Sequence, residues 1–395
     1  MRTKLTVPLG AITIAFLGCS SQPEAPLAVE AIGPARVVGG APKFWETSAA
    51  IRWNEMIDVL AARRLIPSNP RAFTYLSLAQ FKAAEAAAAG TNPHPPVSAA
   101  IGGASVAVLS AFFPLDVAEL EATLDAQEAS DPWPGDQHED FAAGEAIGRA
   151  IGARVLAFAA TDGAAQANPG TPPVGPGRWV SSGAPIAKGV FGARPFFLAS
   201  RSEFRPGAPP AFGSPEFLAA LAEVRHISDT RTPEQQAIAV FWHVNIGPTS
   251  FAAFDILARE LITKYRLSDT QAVRTLFLMN AASFDALVAC ADAKFTYWFI
   301  RPPQADPGII TAVPMPNHPS YPSNHACIDG AVAGVLSAAF PSERSRLDSI
   351  ALEGAISRVY AGIHYRFDVE TGLALGRAVA AKALAADLDR VAPLP

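Results

Sequence analysis

The segment Val108-Leu-Ser-Ala-Phe-Phe-Pro114 returns later in the chain as Val335-Leu-Ser-Ala-Ala-Phe-Pro341. Two further pairs flank it in the same order. Arg71-Ala-Phe-Thr-Tyr-Leu76, followed by Ala79-Gln-Phe81, is answered by Arg274-Thr-Leu-Phe-Leu-Met279 and Ala282-Ser-Phe284. Gly144-Glu-Ala-Ile-Gly-Arg149 is answered by Gly372-Leu-Ala-Leu-Gly-Arg377. Three matches in one order read as an internal duplication. The repeated unit is helical, because apolar residues recur at helical spacing, as in Trp53, Ile57, Leu60 and Leu65, then Phe73, Leu76 and Phe81. The expected fold class is all-α: two related helix bundles joined by a long Pro/Gly-rich connection.

Along the chain, the first bundle is expected over residues 43–162 and the second over 233–395. Helices in the first are expected at 45–89, 97–113, 116–128 and 140–158. Between the bundles, residues 163–232 are dense in Pro and Gly and lose helical periodicity. Aromatic pieces such as Phe191 and Phe196-Phe197 argue against a flexible linker there, so this connection is expected to pack over the surface and close part of a pocket. Arg2 and Lys4 precede an apolar run from Leu5 to Leu17, too short to span a bilayer as a helix, which reads as an export signal over residues 1–19. The run ends in Phe16-Leu17-Gly18-Cys19-Ser20, leaving two outcomes open: lipidation of Cys19, or cleavage and release. Residues 20–42 are then a tether, and the chain is expected in the periplasm or cell envelope, lipid-anchored or secreted.

Half of the 395 residues are hydrophobic, enough for a large core. The net charge of −5 and the lack of any basic cluster argue against nucleic acid as a partner. Membrane association is expected only through a lipid on Cys19. With that residue set aside, Cys290 and Cys327 make no disulfide framework and lack the paired spacing of a zinc site; they are expected as small buried residues.

In a chain poor in charge, one stretch gathers cations and histidines. Lys294-Phe-Thr-Tyr-Trp-Phe-Ile-Arg301-Pro302, Pro322-Ser-Asn-His325 and Ser357-Arg358, with His364 and Asp368, bring two arginines, a lysine and two histidines into the second repeat. In the first repeat His325 falls opposite Ser98, Arg358 opposite Ser130 and His364 opposite Asp136, and nothing near Thr91 replaces Lys294 or Arg301. Residues needed to fold the unit would appear in both copies. Their restriction to one copy favours a site. Asp368 is different: it falls opposite Asp140, each just before an expected helix, which suits an N-cap as well as chemistry.

Lys294 and Arg301 are seven apart, which places them two turns apart on one helical face that Pro302 and Pro303 then stop. A solvated pair is the competing reading, weakened by the neighbouring Phe295, Tyr297, Trp298, Phe299 and Ile300. His325 is expected in the first turn of a helix, where free backbone N–H groups attract anions; Ser323 and the N–H of Asn324 would complete an oxyanion cradle, with His325 as proton donor or acceptor. Arg358 offers a fork to a tetrahedral oxyanion, His364 a ring nitrogen for its central atom, and Asp368 a support for that ring. His318 and Trp298 are expected in structural roles.

The three patterns resemble K-x6-R-P, P-S-G-H and S-R-x5-H-x3-D of the superfamily shared by vanadium-dependent haloperoxidases and type 2 phosphatidic acid phosphatases. Arg52-Trp-Asn-Glu55, Tyr75-Leu-Ser-Leu-Ala-Gln-Phe81 and Asp292-Ala-Lys-Phe-Thr-Tyr-Trp298 extend the resemblance to its soluble bacterial haloperoxidase-like branch, over nearly the whole mature chain. It implies an all-helical fold of two bundles. It also implies vanadate as cofactor, held by Lys294, Arg301, Ser323, Asn324 through its N–H and Arg358, with His364 axial to vanadium and His325 as acid/base. Lys294 would also act in catalysis by polarising peroxide. Hydrogen peroxide, a halide and an organic acceptor would be the small-molecule partners. A secreted acid phosphatase with a phosphohistidine at His364 uses the same residues and no cofactor, and a non-catalytic phosphate- or vanadate-binding protein is the third reading. Asn324 departs from the glycine usual in the family.

Overall fold

The computed structural model describes residues 48–64, 70–90, 95–130, 138–166, 170–183, 188–245, 252–386, 388, 391 and 394. The expected export signal, Cys19, the tether and Asp136 lie outside them. In chain order the helices are α1 Ala49–Arg64, α2 Pro70–Ala88, α3 Val97–Phe112, α4 Val117–Ser130, α5 His138–Ala160, α6 Lys188–Phe191 and α7 Pro215–Thr230. They continue as α8 Pro233–Asn245, α9 Ala252–Lys264, α10 Asp269–Tyr297, α11 Pro302–Ala305, α12 Asn324–Ala339, α13 Arg344–Tyr360 and α14 Arg366–Leu384. Among the described residues the only β pairing outside helices is a single bridge between Arg178 and Phe299. The fold is all-α.

α10 is the axis of the molecule. Ser268 and Gln271 close a reciprocal capping box at its start, satisfying N–H groups that a helix leaves free. Its 29 residues are apolar and long enough to cross a membrane, yet the most apolar window is wholly buried inside the fold, against α2 on one side and α12 and α14 on another. Phe81 of α2 stacks on Phe277 of α10 at 5.2 Å.

Two helix crossings flank this axis with matching contacts. A methyl group added to Gly148 of α5 would stand 2.1 Å from the carbonyl oxygen of Ala100 and 2.7 Å from the nitrogen of Ala104 on α3. At Gly376 of α14 it would stand 2.2 Å from the oxygen of Cys327 and 2.7 Å from the nitrogen of Ala331 on α12. Glycine is required because backbones approach too closely for any Cβ. This likeness does not establish the expected duplication, since a crossing this tight demands small residues at that spacing whatever its origin.

The connection differs from its expectation in being partly helical: besides the single-turn α6 it contains α7, a 16-residue helix. Its start signals are present in the sequence, with Ser214 accepting the N–H of Phe217 and Pro215 in the first helical position, and Phe217 and Val224 buried. The surrounding Pro and Gly masked its period. The rest of the connection is strapped to α10. Asp285 accepts the backbone N–H groups of Phe196 and Phe197, both at 2.7 Å, and of Leu198 at 3.2 Å. Asp292 takes a two-point ion pair from Arg205 at 2.6 and 2.9 Å.

Gly148→Ala is expected to destabilise the protein by about 1–3 kcal/mol, the range for overpacking a core. Urea denaturation reads this as a lower midpoint, and an unchanged midpoint would refute the close crossing of α3 and α5.

Candidate active site

Lys294, in the last turn of α10, is fully buried and donates through Nζ to the carbonyls of Pro319 and Ser320, both at 2.8 Å. Arg301 does not share its helical face, as the spacing had implied. Trp298 takes a left-handed conformation with φ +50° and ends α10, and Arg301 lies beyond it, preceding α11. Pro302 accordingly opens a short helix rather than stopping a long one. The two cations still converge, because Arg301 turns back to the same loop. Its Nε donates to His318 O at 2.8 Å, Nη1 to Ile363 O at 2.7 Å, and Nη2 lies 3.0 Å from His318 Nδ1. Part of the connection buttresses this reversal: Trp179 N–H donates to Trp298 O at 2.8 Å and Ile300 N–H to Gly177 O at 3.0 Å.

Burial sets the charge of this pair. It lowers Lys294 to about 8, with Arg301 pushing the same way and Cys290 opposing, and it lowers Arg301 to about 10.

His364 sits in the turn before α14, reached through Gly362 at φ +77°. Its Nδ1 lies 2.8 Å from Asp368 Oδ2, which also accepts from Ser320 Oγ at 2.6 Å and Tyr365 N–H at 3.1 Å. Asp368 is therefore the third residue of α14 and not the residue before it, and its carboxylate serves the helix start and His364 together. Burial raises Asp368 to about 6, opposed by the Ser320 hydrogen bond and the charges of Lys294 and Arg301. At neutral pH the carboxylate accepts, so His364 Nδ1 carries the proton and Nε2 keeps its lone pair, 3.3 Å from Arg301 Nη1. Burial, then Arg301 and Lys294, hold His364 well below its usual range and neutral.

Ser323 precedes α12, which opens at Asn324, so His325 does lie in the first helical turn. Ser323 N–H donates to Asp368 O at 2.9 Å, while its buried hydroxyl has no partner. Asn324 is helical, so replacing glycine here demands no left-handed backbone, and its Oδ1 accepts from Cys290 Sγ at 3.0 Å. His325 Nε2 lies 3.2 Å from Trp242 O; a carbonyl only accepts, so Nδ1 is the basic atom. Burial and Arg358 keep this ring neutral as well. Arg358 is anchored by Nε to Ser357 Oγ at 2.9 Å and by Nη2 to Ala239 O at 2.6 Å, and its buried Nη1 has no partner.

The residues singled out by the three patterns thus gather in one cluster, buried except at the half-buried Asn324 and His325. Sequence reasoning set aside His318, which lies against Arg301, and passed over Ser320, Trp242 and the buried Asp329, whose carboxyl has no hydrogen-bond partner and is raised well above its usual range by burial, with Arg358 opposing. Ser320 and Trp242 stand outside the patterns. Only the folded chain reveals what they touch.

Residues 272–390 match the sequence model of the PAP2 superfamily, a span that holds all the charged members of the cluster. Through this region the chain is similar to the PAP2 superfamily. No curated protein matches it in sequence. In structure the chain is similar to a crystal structure described as the first bacterial vanadium-dependent iodoperoxidase, with TM-score 0.72 and 22% identity, covering 85% of this chain and 95% of that one. It is also similar to bacterial vanadium-dependent chloroperoxidase in its apo-type form (TM-score 0.64, 16% identity, 80% and 91% covered) and its holo-type form (TM-score 0.63, 15% identity, 89% and 95% covered). The fold is shared along nearly the full length of those chains.

The charged cluster predicts its own pH window. Oxyanion binding is expected to be strongest between about 6 and about 8. Below the window Asp368 gains a proton and no longer holds His364 Nδ1–H; above it Lys294 loses its charge. Asp368→Asn should flatten the acid limb and weaken binding by about 10- to 100-fold, the range for losing the support of a ligating histidine. Phosphate and orthovanadate titrations across pH check this, and an acid limb unchanged in the variant would refute the role of Asp368.

Proposed function

We propose that this chain is a vanadium-dependent haloperoxidase-like enzyme that oxidises a halide with hydrogen peroxide. The observation that carries the reading is a pair of buried donors with nothing to bind: Ser323 Oγ and Arg358 Nη1 are unpartnered, beside two further buried cations and a neutral histidine whose Nε2 meets only Arg301 Nη1. Buried donors are normally satisfied, so an absent oxyanion is the missing acceptor. Three cations fit a group carrying several negative charges, and the fold shared with bacterial vanadium haloperoxidases supports vanadate.

In this reading Lys294, Arg301, Arg358, Ser323 Oγ and the N–H of Asn324 would hold a bound vanadate, together with His364 through Nε2. Bound vanadate supplies the activation of hydrogen peroxide toward halide. Asp368 keeps the proton on His364 Nδ1, which leaves Nε2 basic. His325 Nδ1 accepts a proton from the incoming peroxide and returns it. The apolar walls formed by α10, α12 and α14 exclude water and so strengthen each of these interactions.

The same geometry supports hydrolysis in one respect: a neutral His364 supported by Asp368 has the form of an activated nucleophile, with His325 to protonate a leaving alcohol. One assay separates the two. Metal-stripped protein is tested with and without orthovanadate for peroxide-dependent bromination and for phosphate ester hydrolysis. Bromination only with vanadate is expected; hydrolysis by the stripped form, suppressed by vanadate and without bromination, would replace this proposal with a phosphatase. His364→Ala is expected to abolish turnover, and His325→Ala to keep orthovanadate binding while losing about 10²- to 10⁴-fold in turnover, the range for a general acid or base.

A further inference from the structure

Two thiols lie against this site, and the proposed chemistry uses neither. Cys290 is one helical turn before Lys294 on α10, and Cys327 is one turn after Ser323 on α12. Both are free and fully buried. The two thiols face each other across the packed helices α10 and α12, near enough for each to shift the other's proton affinity, and the Cys290 thiol lies 3.0 Å from Asn324 Oδ1, to which it donates, and 3.6 Å from Pro322 O. The chain of contacts therefore runs Cys327, Cys290, Asn324, and ends at the residue whose backbone N–H opens α12 in the oxyanion cradle.

We propose that Cys290 and Cys327 form a peroxide-oxidisable dithiol that controls the oxyanion cradle through Asn324. The two thiols differ in the way such a couple requires. Burial raises Cys290, but the neighbouring Cys327 thiol and the Lys294 ammonium outweigh it and bring the thiol below its usual value. Burial, followed by Cys290, drives Cys327 well above. Cys290 is thus the nucleophile and Cys327 the protonated resolving thiol. Asn324 is partly exposed, so a small neutral peroxide that reaches its carboxamide is one hydrogen bond from the Cys290 sulfur.

The Cys290 sulfur attacks one peroxide oxygen; an S–O bond forms, the O–O bond breaks, and the other oxygen leaves as water with the Cys290 proton. The Cys327 sulfur then attacks the Cys290 sulfur, an S–S bond forms, the S–O bond breaks, and the second oxygen leaves as water with the Cys327 proton. Two thiols and one hydrogen peroxide become one disulfide and two waters. The bond ties α10 to α12 between Lys294 and Ser323, and it removes the S–H donor that orients Asn324.

The cross-link stands apart from the proposed function; its effect on the cradle rests on that reading. Reduced full-length protein without vanadate is treated with equimolar hydrogen peroxide, then alkylated and peptide-mapped. A peptide pair joining Cys290 to Cys327, reversed by a thiol reductant and absent in Cys327→Ser, is expected. Thiols that stay fully alkylatable, or that oxidise separately without joining, would overturn the dithiol. Orthovanadate binding is then measured on the reduced and cross-linked forms. The cross-linked form is expected to bind about tenfold more weakly, the size of one lost hydrogen bond. Equal binding would overturn control through Asn324, while a lack of bromination would count only against the haloperoxidase reading.

Discussion

Three cationic side chains buried inside an apolar helical core are the constraint on which the rest of this structure depends. Removing an ion from water costs several kcal/mol even after relaxation, so each charge must find acceptors that the helices cannot spare from their own ladders. Lys294 and Arg301 find theirs in the loop 318–320, which carries free carbonyls because it is not helical. Arg358 takes Ala239 O and Ser357 Oγ. The loop's irregularity is what allows the charges to be buried, and the helices around it are what make the burial complete.

That arrangement ties Lys294 and Arg301 down fully and leaves Arg358 anchored through Nε and Nη2 but open at Nη1. Arg358 Nη1 and Ser323 Oγ keep unspent hydrogen-bonding capacity in a region from which water is excluded. The histidines stay neutral for the same reason: surrounding positive charge and burial both oppose their protonation. Asp368 is the counterweight, and its shared contacts with Ser320, His364 and Tyr365 join the loop to the start of α14.

The cluster is held from behind by α10 and by the connection strapped to it. Asp285 and Asp292 fix the connection at two points, and Trp179 stacks on Trp298 at 6.1 Å where α10 ends. The connection thus stiffens the chain reversal that returns Arg301 toward Lys294. Its aromatic content, legible beforehand, marked it as packed; which residues it would brace was not.

The sequence by itself determined the helical class and the identity of the clustered cations and histidines, because periodicity and short motifs are local properties. It also placed His325 in a first helical turn, since the signal lies within four residues. It misplaced Arg301 on the helix of Lys294, because spacing alone cannot reveal the left-handed residue at Trp298 that ends α10 early. It hid α7 behind flanking Pro and Gly, and it left His318, Ser320 and Asn324 without partners. Those were decided only by tertiary structure, for a physical reason: the partners of a buried charge are chosen by which backbone carbonyls the packing leaves free, and these come from loops distant along the chain.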